Sequence, residues 1–212
     1  MSHESVRQLT DADRWRLRPH LKRLAPEDRR LRFGMILNDA AIDRYVDSLD
    51  FDREAVLAVA AADGALLAAA HVAPVGEGAE LGLSVDARAR RRGLGGALFV
   101  QAVAWARNRY LRRVHMHCLR ENTAILRLAR RHGMALDFDG AESSAVLLLP
   151  APDVESWMRE QSPHWHAAAS DAWRMEAHWL DWMLAGPHLA AAAFAASLAE
   201  PRAGDPVRAG HP

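Results

Sequence analysis

The stretch that decides the fold of this 212-residue chain is RRRGLGG, residues 90–96. A strand pattern over residues 79–85 precedes it, and a helical pattern over about 94–109 follows it. Its glycines let the backbone come close to a ligand, and the start of the helix turns the positive end of its dipole to the same place. Together with three arginines, these groups predict a site for an anion such as a pyrophosphate. For the segment taken alone, a basic surface turn stays an alternative.

Two common phosphate-binding loops are excluded by the spacing of these glycines. A Walker loop requires Gly-Lys-Ser/Thr, whereas residues 93–96 read Gly-Leu-Gly-Gly. A dinucleotide-binding fingerprint requires G-x-G-x-x-G, which the segment also lacks. The anion site therefore belongs to neither of these classes.

Outward from the loop, the hydrophobic pattern predicts an alternation of strands and helices. Strands are expected over residues 4–9, 55–61, 66–73, 79–85, 113–119, 134–138 and 144–149. Helices are expected after Thr10, from Pro26 and after Asn122, with a further amphipathic segment after Asn38. We write the order as β-α-α-β-β-β-α-β-α-β-β, which predicts an α/β fold with a mixed sheet and helices on its faces.

Composition narrows the class of protein. The 27 basic and 27 acidic side chains give no net charge, which argues against a general nucleic-acid or membrane-surface binder. The single cysteine, Cys118, excludes an internal disulfide framework. Because we find neither a signal-peptide pattern at the start nor a membrane-spanning apolar run, we expect a cytoplasmic protein in a reducing compartment.

Two motifs carry a family resemblance. Arg90, Gly93 and Gly95 fill the pattern Arg/Gln-x-x-Gly-x-Gly/Ala, which resembles the acetyl-CoA pyrophosphate loop of the GNAT superfamily of N-acetyltransferases. About thirty residues later, that family has Asn-x-x-Ala and then a helix that ends on Gly-Phe. Here residues 122–125 read Asn-Thr-Ala-Ile, with the alanine shifted by one, and residues 133–134 read Gly-Met. The resemblance covers about residues 4–150 and implies a mixed, mostly antiparallel central sheet.

One branch of the superfamily resembles the N-terminal half more closely. Residues 24–33, LAPEDRRLRF, are similar to the "LSPES-R-LRF" stretch of bacterial protein lysine acetyltransferase domains. The similarity implies a bacterial protein whose substrate is a protein lysine or a small amine. The branch also includes members of unknown substrate, so the acceptor stays open.

The resemblance implies direct transfer of an acetyl group from acetyl-CoA, the cosubstrate, to a primary amine in a ternary complex. The amine must be neutral to attack, although a lysine amine has a pKa of about 10.4. A Glu at the start of the strand before the loop is the base in the lysine acetyltransferase branch, and Glu80 matches it. A salt bridge of Glu80 with Arg88 or a neighbour is the alternative. A Tyr four residues before the helix-ending glycine is the acid in many members, but that position is Ala129.

The cofactor-binding residues implied by the resemblance come from the strand, the loop and the second helix. They are Leu83, Val85, Arg90, Arg91, Arg92, Gly93, Leu94, Gly95, Gly96 and Asn122. Backbone N–H groups near Leu83 to Val85 are expected at the acetyl carbonyl, and Asn122 either contacts the pantetheine arm or caps its helix. Arg127 and Arg130 are candidates for a phosphate contact, with a solvated helix face as the alternative.

No metal is expected. His115 and His117 lie on one face of a strand, but the sequence places no third ligand beside them, and Cys118 points to the other face. Six early aspartates make a surface that favours a cationic amine: Asp11, Asp13, Asp28, Asp39, Asp43 and Asp47. A non-catalytic acyl-CoA-binding regulatory module is the second functional hypothesis, which the missing tyrosine favours.

The C-terminal quarter differs in composition, because five of the seven tryptophans follow residue 150. Pro150 and Pro152 mark a boundary. We expect an acetyltransferase domain over residues 1–150, a Trp-rich helical extension over 151–200 and a flexible tail over 201–212. The helix at about 168–185 either packs on the sheet of its own chain, covers the acceptor groove, or pairs two copies in a homodimer.

Overall fold

The structure is a computed structural model that describes residues 5–161. Its strands are β1 (Val6–Gln8), β2 (Ala55–Ala60), β3 (Leu66–Val75), β4 (Gly78–Val85), β5 (Arg113–Leu119), β6 (Ala135–Asp139) and β7 (Glu142–Leu148). Its α-helices are α1 (Arg14–Lys22), α2 (Pro26–Phe33), α3 (Asp39–Ser48), α4 (Leu94–Asn108) and α5 (Thr123–Arg131). The predicted order was wrong in one respect, because three α-helices rather than two lie between β1 and β2. The segment after Asn38 is the third of them, and the Asn38 side chain caps it by accepting from the Ala41 N–H.

The seven strands form one sheet in the order β1-β2-β3-β4-β5-β7-β6. Neighbouring strands are antiparallel with the exception of the pair β4–β5, which is parallel. This confirms the predicted mixed, mostly antiparallel sheet flanked by helices. Because β4 and β5 are parallel, the chain must cross between them, and α4 makes this crossover.

The two faces of the sheet carry separate hydrophobic cores. We call the side that packs against α1 and α3 the front face and the side that packs against α4 the rear face. Front-face residues on the central strands are Val56, Ala58, Ala69, His71, Glu80, Gly82 and Ser84. Rear-face residues are Leu57, Val59, Ala70, Val72, Leu81 and Leu83, which pack with Leu98, Phe99 and Trp105 of α4.

Helix α2 has no fully buried side chain, and apart from Phe33, which packs against the front core, it is held by polar contacts. Asp28 forms an ion pair with Arg90 at 2.6 Å, and Arg30 forms one with Glu121. The Leu31 carbonyl accepts from the side-chain amide of Asn122 at 3.3 Å. These contacts tie α2 to the loop before α4 and to the segment after β5, so the helix spans the front of the β4–β5 region.

The described start of the C-terminal segment contacts α4. Residues 154–161 are helical, and Asp153 caps them by accepting from the Ser156 N–H at 2.7 Å. Asp153 also pairs with Arg107 at 2.7 Å, and Glu160 pairs with Arg109 at 2.9 Å. The predicted helix at 168–185, most of the predicted extension, the tail over 201–212 and the dimer contact lie outside the described residues. The division of the chain at residue 150 stays a prediction.

Within residues 5–161, no helix is both long enough and apolar enough to cross a membrane.

Cys118 is a free, buried cysteine, and burial raises the pKa of its thiol. The burial of Cys118 and the raised pKa of its thiol fit a strand residue that packs in the interior.

A buried histidine joins α1 to the sheet. His20 is 1% exposed, and its Nδ1 lies 3.1 Å from the Leu66 carbonyl while its Nε2 lies 2.9 Å from the Ser84 hydroxyl. Burial lowers the pKa of His20 to about 4, so the ring is neutral near pH 7. Nδ1 then carries the proton and donates to the carbonyl, while Nε2 accepts from Ser84.

The neutral state of His20 predicts a loss of stability in acid. In the unfolded chain the imidazole protonates near its ordinary pKa of 6.5, whereas the folded protein resists protonation until about pH 4. The free energy of unfolding from this residue is therefore fully present above pH 6.5 and falls as the pH drops toward 4, by up to about 3 kcal/mol. Urea unfolding across this pH range measures the slope. His20→Gln should flatten it, and equal slopes in both proteins would contradict the assignment.

Candidate active site

The strands β4 and β5 separate in the middle of the sheet. Their pairing covers only three residue pairs and ends where Glu80 lies opposite His115. Both strands continue beyond that point, β4 to Val85 and β5 to Leu119. We call the space between residues 81–85 and 116–119 the β4–β5 gap. A gap inside a sheet leaves backbone N–H and C=O groups of the two facing edges without strand partners.

The direction of these backbone groups follows from contacts at the two ends of β4. The Asp86 N–H donates to the Leu67 carbonyl, which is on the β3 side, and the Glu77 carbonyl accepts from the Arg112 N–H, which is on the β5 side. Backbone groups alternate sides along a strand. The N–H groups of Leu83 and Val85 therefore point away from β3 and toward the β4–β5 gap.

The arginine–glycine loop lies at the open end of this gap. A Cβ built on Gly95 would be 3.9 Å from the Val85 side chain, which places the start of α4 beside the end of β4. Gly93 is the N-cap of α4 with φ +83°, and the first α-helical bond runs from the Ala97 N–H to the Gly93 carbonyl. Three N–H groups at the helix start, those of residues 94–96, thus have no partner within the helix.

The loop arginines are not equivalent. All three side chains are exposed, and Arg90 pairs with Asp28 of α2. Arg91 has φ +60°, a left-handed conformation that is unfavourable for a residue with a Cβ. Positive φ values at Arg91 and Gly93 turn successive peptide groups, as in anion-binding loops.

Asn122 is buried and has two partners within the protein. Its side-chain oxygen accepts from the Ile125 N–H at 3.2 Å and so caps α5, and its amide donates to Leu31. The capping alternative is thus realised in the structure. Arg127 bonds back to Thr123 on its own helix, and Arg130 is exposed.

Glu80 lies at the point where the strands separate. Its side chain is exposed on the front face, opposite His115. The alternative of a salt bridge with Arg88 is wrong, because Arg88 pairs with Asp86 at 3.0 Å. This pairing holds the pKa of the Asp86 carboxyl well below its usual range. Burial and the nearby Arg113 lower the pKa of His115, so a neutral imidazole stands beside Glu80.

A polar chain on the front face was not predicted from the sequence. Glu54 lies 2.9 Å from Nε2 of His71, Nδ1 of His71 lies 2.9 Å from the Tyr45 hydroxyl, and the Tyr45 oxygen lies 3.3 Å from Arg32. Burial lowers the pKa of His71 and raises the pKa of Tyr45, so both are neutral. Nε2 then donates to the carboxylate, Nδ1 accepts from the tyrosine hydroxyl, and Arg32 donates to that oxygen.

A family model decides the identity of this arrangement. The model of the Acetyltransferase (GNAT) family matches residues 18–134, which is more than half of the chain. The chain belongs to the GNAT acetyltransferase family. Members of this family are acetyl-CoA-dependent N-acetyltransferases. A search of curated protein sequences finds no match to the chain.

Solved structures show the same fold. The GNAT domain of S. lividans PAT has a TM-score of 0.60 at 23% identity, over 68% of this chain and 89% of that one. A GNAT-family acetyltransferase from Streptococcus pneumoniae has a TM-score of 0.55 at 17% identity, over 68% and 98%. Spermidine N-acetyltransferase from Vibrio cholerae, solved with CoA and spermine, has a TM-score of 0.55 at 14% identity, over 68% and 94%. At these identities the likeness concerns the GNAT fold.

The acidic surface that favoured a cationic amine is neutralised in this GNAT protein. Each of the six aspartates pairs with a basic side chain: Asp11 with Arg14, Asp13 with Arg7 and Arg16, Asp28 with Arg90, Asp39 with Arg29, Asp43 with Lys22 and Arg18, and Asp47 with Arg18. The early helices therefore give no net attraction for a polycation.

Other candidate groups of the GNAT site have limited roles. Within residues 5–161, no group of three or more His, Cys, Asp or Glu side chains has the arrangement of a metal site. His115 and His117 share the front face while Cys118 is buried on the other side, as the strand pattern predicted. Ala129 is fully buried on α5, and because its side chain is a methyl group, it cannot act as an acid.

Asn122 should contribute to the stability of the GNAT fold through two separable contacts. Asn122→Ala removes both the α5 cap and the bond to Leu31, and we expect a loss of about 1–2 kcal/mol in the free energy of unfolding. Asn122→Ser keeps a side-chain oxygen that can cap α5 and removes the amide donor, so its loss should be smaller. Urea unfolding measures both variants, and an unchanged stability of Asn122→Ala would disprove the capping role.

Proposed function

We propose that the protein is an N-acetyltransferase that moves the acetyl group of acetyl-CoA to a primary amine by direct attack in a ternary complex. The observation that carries the proposal is the β4–β5 gap, with the unpartnered N–H groups of the α4 start at its open end. An extended ligand with a diphosphate at one end and a carbonyl at the other matches these two sets of donors. The family membership supports the same conclusion.

The residues present fit acetyl-CoA, which supplies the acetyl group as a thioester. The N–H groups of residues 94–96 and the positive end of the α4 dipole would hold the diphosphate, with Arg91 and Arg92 adding charge. The N–H groups of Leu83 and Val85 point into the gap and would donate to the acetyl oxygen. Arg90 and Asn122 act from beside the ligand, because Arg90 fixes α2 and Asn122 fixes α5.

Glu80 is the proposed base. It is exposed on the front face, at the end of the ladder and next to the gap, where it can reach an amine that enters from the front. In the reaction a C–N bond forms and the C–S bond of the thioester breaks. Glu80 takes the proton that the ammonium group must lose before attack, and the second proton leaves the nitrogen to solvent after the C–N bond has formed. Since Ala129 offers no acid, we propose that the thiolate leaves unaided and is protonated by solvent.

Finer assignments belong to the same proposal. We propose that the protein belongs to the bacterial lysine acetyltransferase-like branch, with a protein lysine or a small amine as acceptor, and the similarity of residues 24–33 to that branch supports this. We propose a cytoplasmic location, no metal, no nucleic-acid partner, and a homodimer through the C-terminal helices. The mass of the full chain in solution tests the dimer.

The loop assignment predicts a separation of affinity from stability. Gly93 and Gly140 both have positive φ and open space at the Cβ position, so alanine at either position is strained by a similar amount. Gly93→Ala should weaken binding of CoA by about tenfold, the equivalent of one charge-assisted hydrogen bond. Gly140→Ala, in the β6–β7 turn, is the matched control and should bind CoA as the unmodified protein does. Calorimetric titration with CoA measures both, and equal affinities would refute the loop assignment.

The base assignment predicts a pH-dependent loss of activity. Glu80→Gln should lower kcat/KM for amine acetylation by about 100-fold or more near pH 7. The deficit should shrink as the pH rises toward the pKa of the amine, about 10.4, because more of the amine is then already neutral. Release of the CoA thiol in the presence of an amine measures the rate. Glu142→Gln, which changes an exposed carboxylate on β7, is the control.

The same assay separates the enzyme from a regulatory module. If the unmodified protein binds acetyl-CoA but acetylates none of a broad panel of amines and lysine peptides, the enzyme proposal fails and the non-catalytic acyl-CoA-binding module is correct. If Glu80→Gln matches Glu142→Gln at every pH, the base is another group.

A further inference from the structure

We propose that Arg32 binds a carboxylate of the acceptor, so that the acceptor of this enzyme is an amine that also carries a carboxylate group. The inference rests on the proposed function, because it names the substrate class of the same site. Arg32 is a residue of α2 whose side chain lies on the front face of β4, between Glu80, the proposed base, and the buried Ser84.

The first argument is position. A Cβ built on Gly82 would overlap the guanidinium of Arg32, so Arg32 lies directly on the backbone of β4. Gly82 is two residues after Glu80, on the same front face and beside the β4–β5 gap. At about 3.3 Å per residue, the two positions are about 7 Å apart along the strand. An amine bound beside Glu80 at the gap therefore lies close to Arg32.

The second argument is the lack of a counterion. Among residues 5–161, Arg32 is the one partly buried arginine that has no carboxylate within ion-pair distance. Its contacts are the Tyr45 hydroxyl and the ring of Phe33, which lies 4.8 Å from the guanidinium carbon. A partly buried guanidinium is normally paired, because removing its charge from water is costly. Here its remaining N–H donors are available to a ligand.

The third argument is that a chain of hydrogen bonds through Tyr45, His71 and Glu54 holds Arg32 in place. Glu54 orients His71, Nδ1 of His71 accepts a hydrogen bond from the Tyr45 hydroxyl, and the Tyr45 oxygen accepts one from Arg32. This series of hydrogen bonds fixes one N–H of the guanidinium. Its other N–H groups can bind a carboxylate through two parallel hydrogen bonds. Tyr45 and His71 are positioning residues in this arrangement, and Arg32 is the group that touches the acceptor.

The charges around the site then select the acceptor. Glu80 and Arg32 both act on Tyr45 and His71 electrostatically, which places one negative and one positive group on the same patch of the front face. An ammonium group beside Glu80 and a carboxylate at Arg32 complement this patch. A polyamine would bring a second cation to Arg32, which opposes binding. Free amino acids and lysines with a neighbouring acidic residue in a peptide share the required chemistry.

The test compares amines that differ only in the carboxylate. The unmodified protein is assayed with lysine and cadaverine, with phenylalanine and phenethylamine, and with spermidine. Two lysine peptides that differ by Glu or Gln beside the lysine form a second arm. We expect kcat/KM to favour the carboxylate-bearing member by about tenfold or more. Preference among the small amines identifies a free amino acid as the source of the carboxylate, and preference among the peptides identifies an acidic peptide.

The variants test Arg32 itself. Arg32→Gln should abolish the preference, and Arg32→Lys should restore part of it, because an ammonium keeps the charge without the fork. Gly82→Ala retains Arg32 but displaces its guanidinium, so it should also reduce the preference. Arg44→Gln, which changes an exposed arginine on α3, is the control. If Arg32→Gln does not fold, the comparison of amines in the unmodified protein still decides the proposal.

Binding of lysine and cadaverine to the protein saturated with CoA, measured by calorimetry, gives a readout besides turnover. Turnover without preference for a carboxylate, or with preference for spermidine, would overturn the assignment of Arg32 and leave the proposed function intact. Binding that depends on the carboxylate and on Arg32, with no turnover of any amine, would leave the assignment of the subsite and overturn the proposed function.

Discussion

The separation of β4 from β5 beyond Glu80 and His115 is the constraint on which the rest of the structure depends. An interior strand normally has both edges paired, and each unpaired backbone group that is also shielded from water costs about 1–3 kcal/mol. The gap can persist because its surroundings are held independently. On the rear face α4 packs against β2, β3 and β4, and β5 is paired with β7 along its whole length. The open edge is thus a property of the scaffold, and it presents backbone donors at fixed positions.

Helix α2 covers the front of the β4–β5 gap, and it is held in place differently from α1 and α3. Helices α1 and α3 bury Leu17, Leu21, Ile42 and Val46 against the sheet, whereas α2 has no fully buried side chain. Apart from the packing of Phe33 on the front core, its contacts are charged or hydrogen-bonded, and they end on the anion loop and on the cap of α5. The loop, the second helix cap and the candidate acceptor site therefore share one element. A helix held in this way presents Arg32 at a sheet face that also carries His71, Glu80 and Ser84.

The features that could be predicted from the sequence are those set by local patterns. The glycine loop, the caps at Asn38 and Asn122, and the strands flanking Asp63-Gly64 depend on residues a few positions apart, so spacing reveals them. The front-face chain could not be found in this way. Glu54, His71 and Tyr45 come from a loop, a strand and a helix, and they meet Arg32 only because α2 and α3 pack on the sheet beside His71 of β3 and Gly82 of β4. Pairing of Asp28, Asp39, Asp43 and Asp47 was equally hidden, because their partners lie on other elements, whereas Asp11 and Asp13 also pair with arginines three positions along the chain.

Charge is where sequence and structure differ most. A balance of 27 basic and 27 acidic residues excludes a general polyanion binder, yet it says nothing about which charges remain after pairing. In the described part of the chain, the six aspartates of the early helical region pair with nearby basic side chains, so they create no acidic field. The charges that matter for a ligand are those left without a counterion in a partly dry environment, since water screens exposed ones. By this criterion Arg32 outweighs the exposed arginines of the loop as a determinant of the acceptor, while the loop acts mainly through its backbone N–H groups.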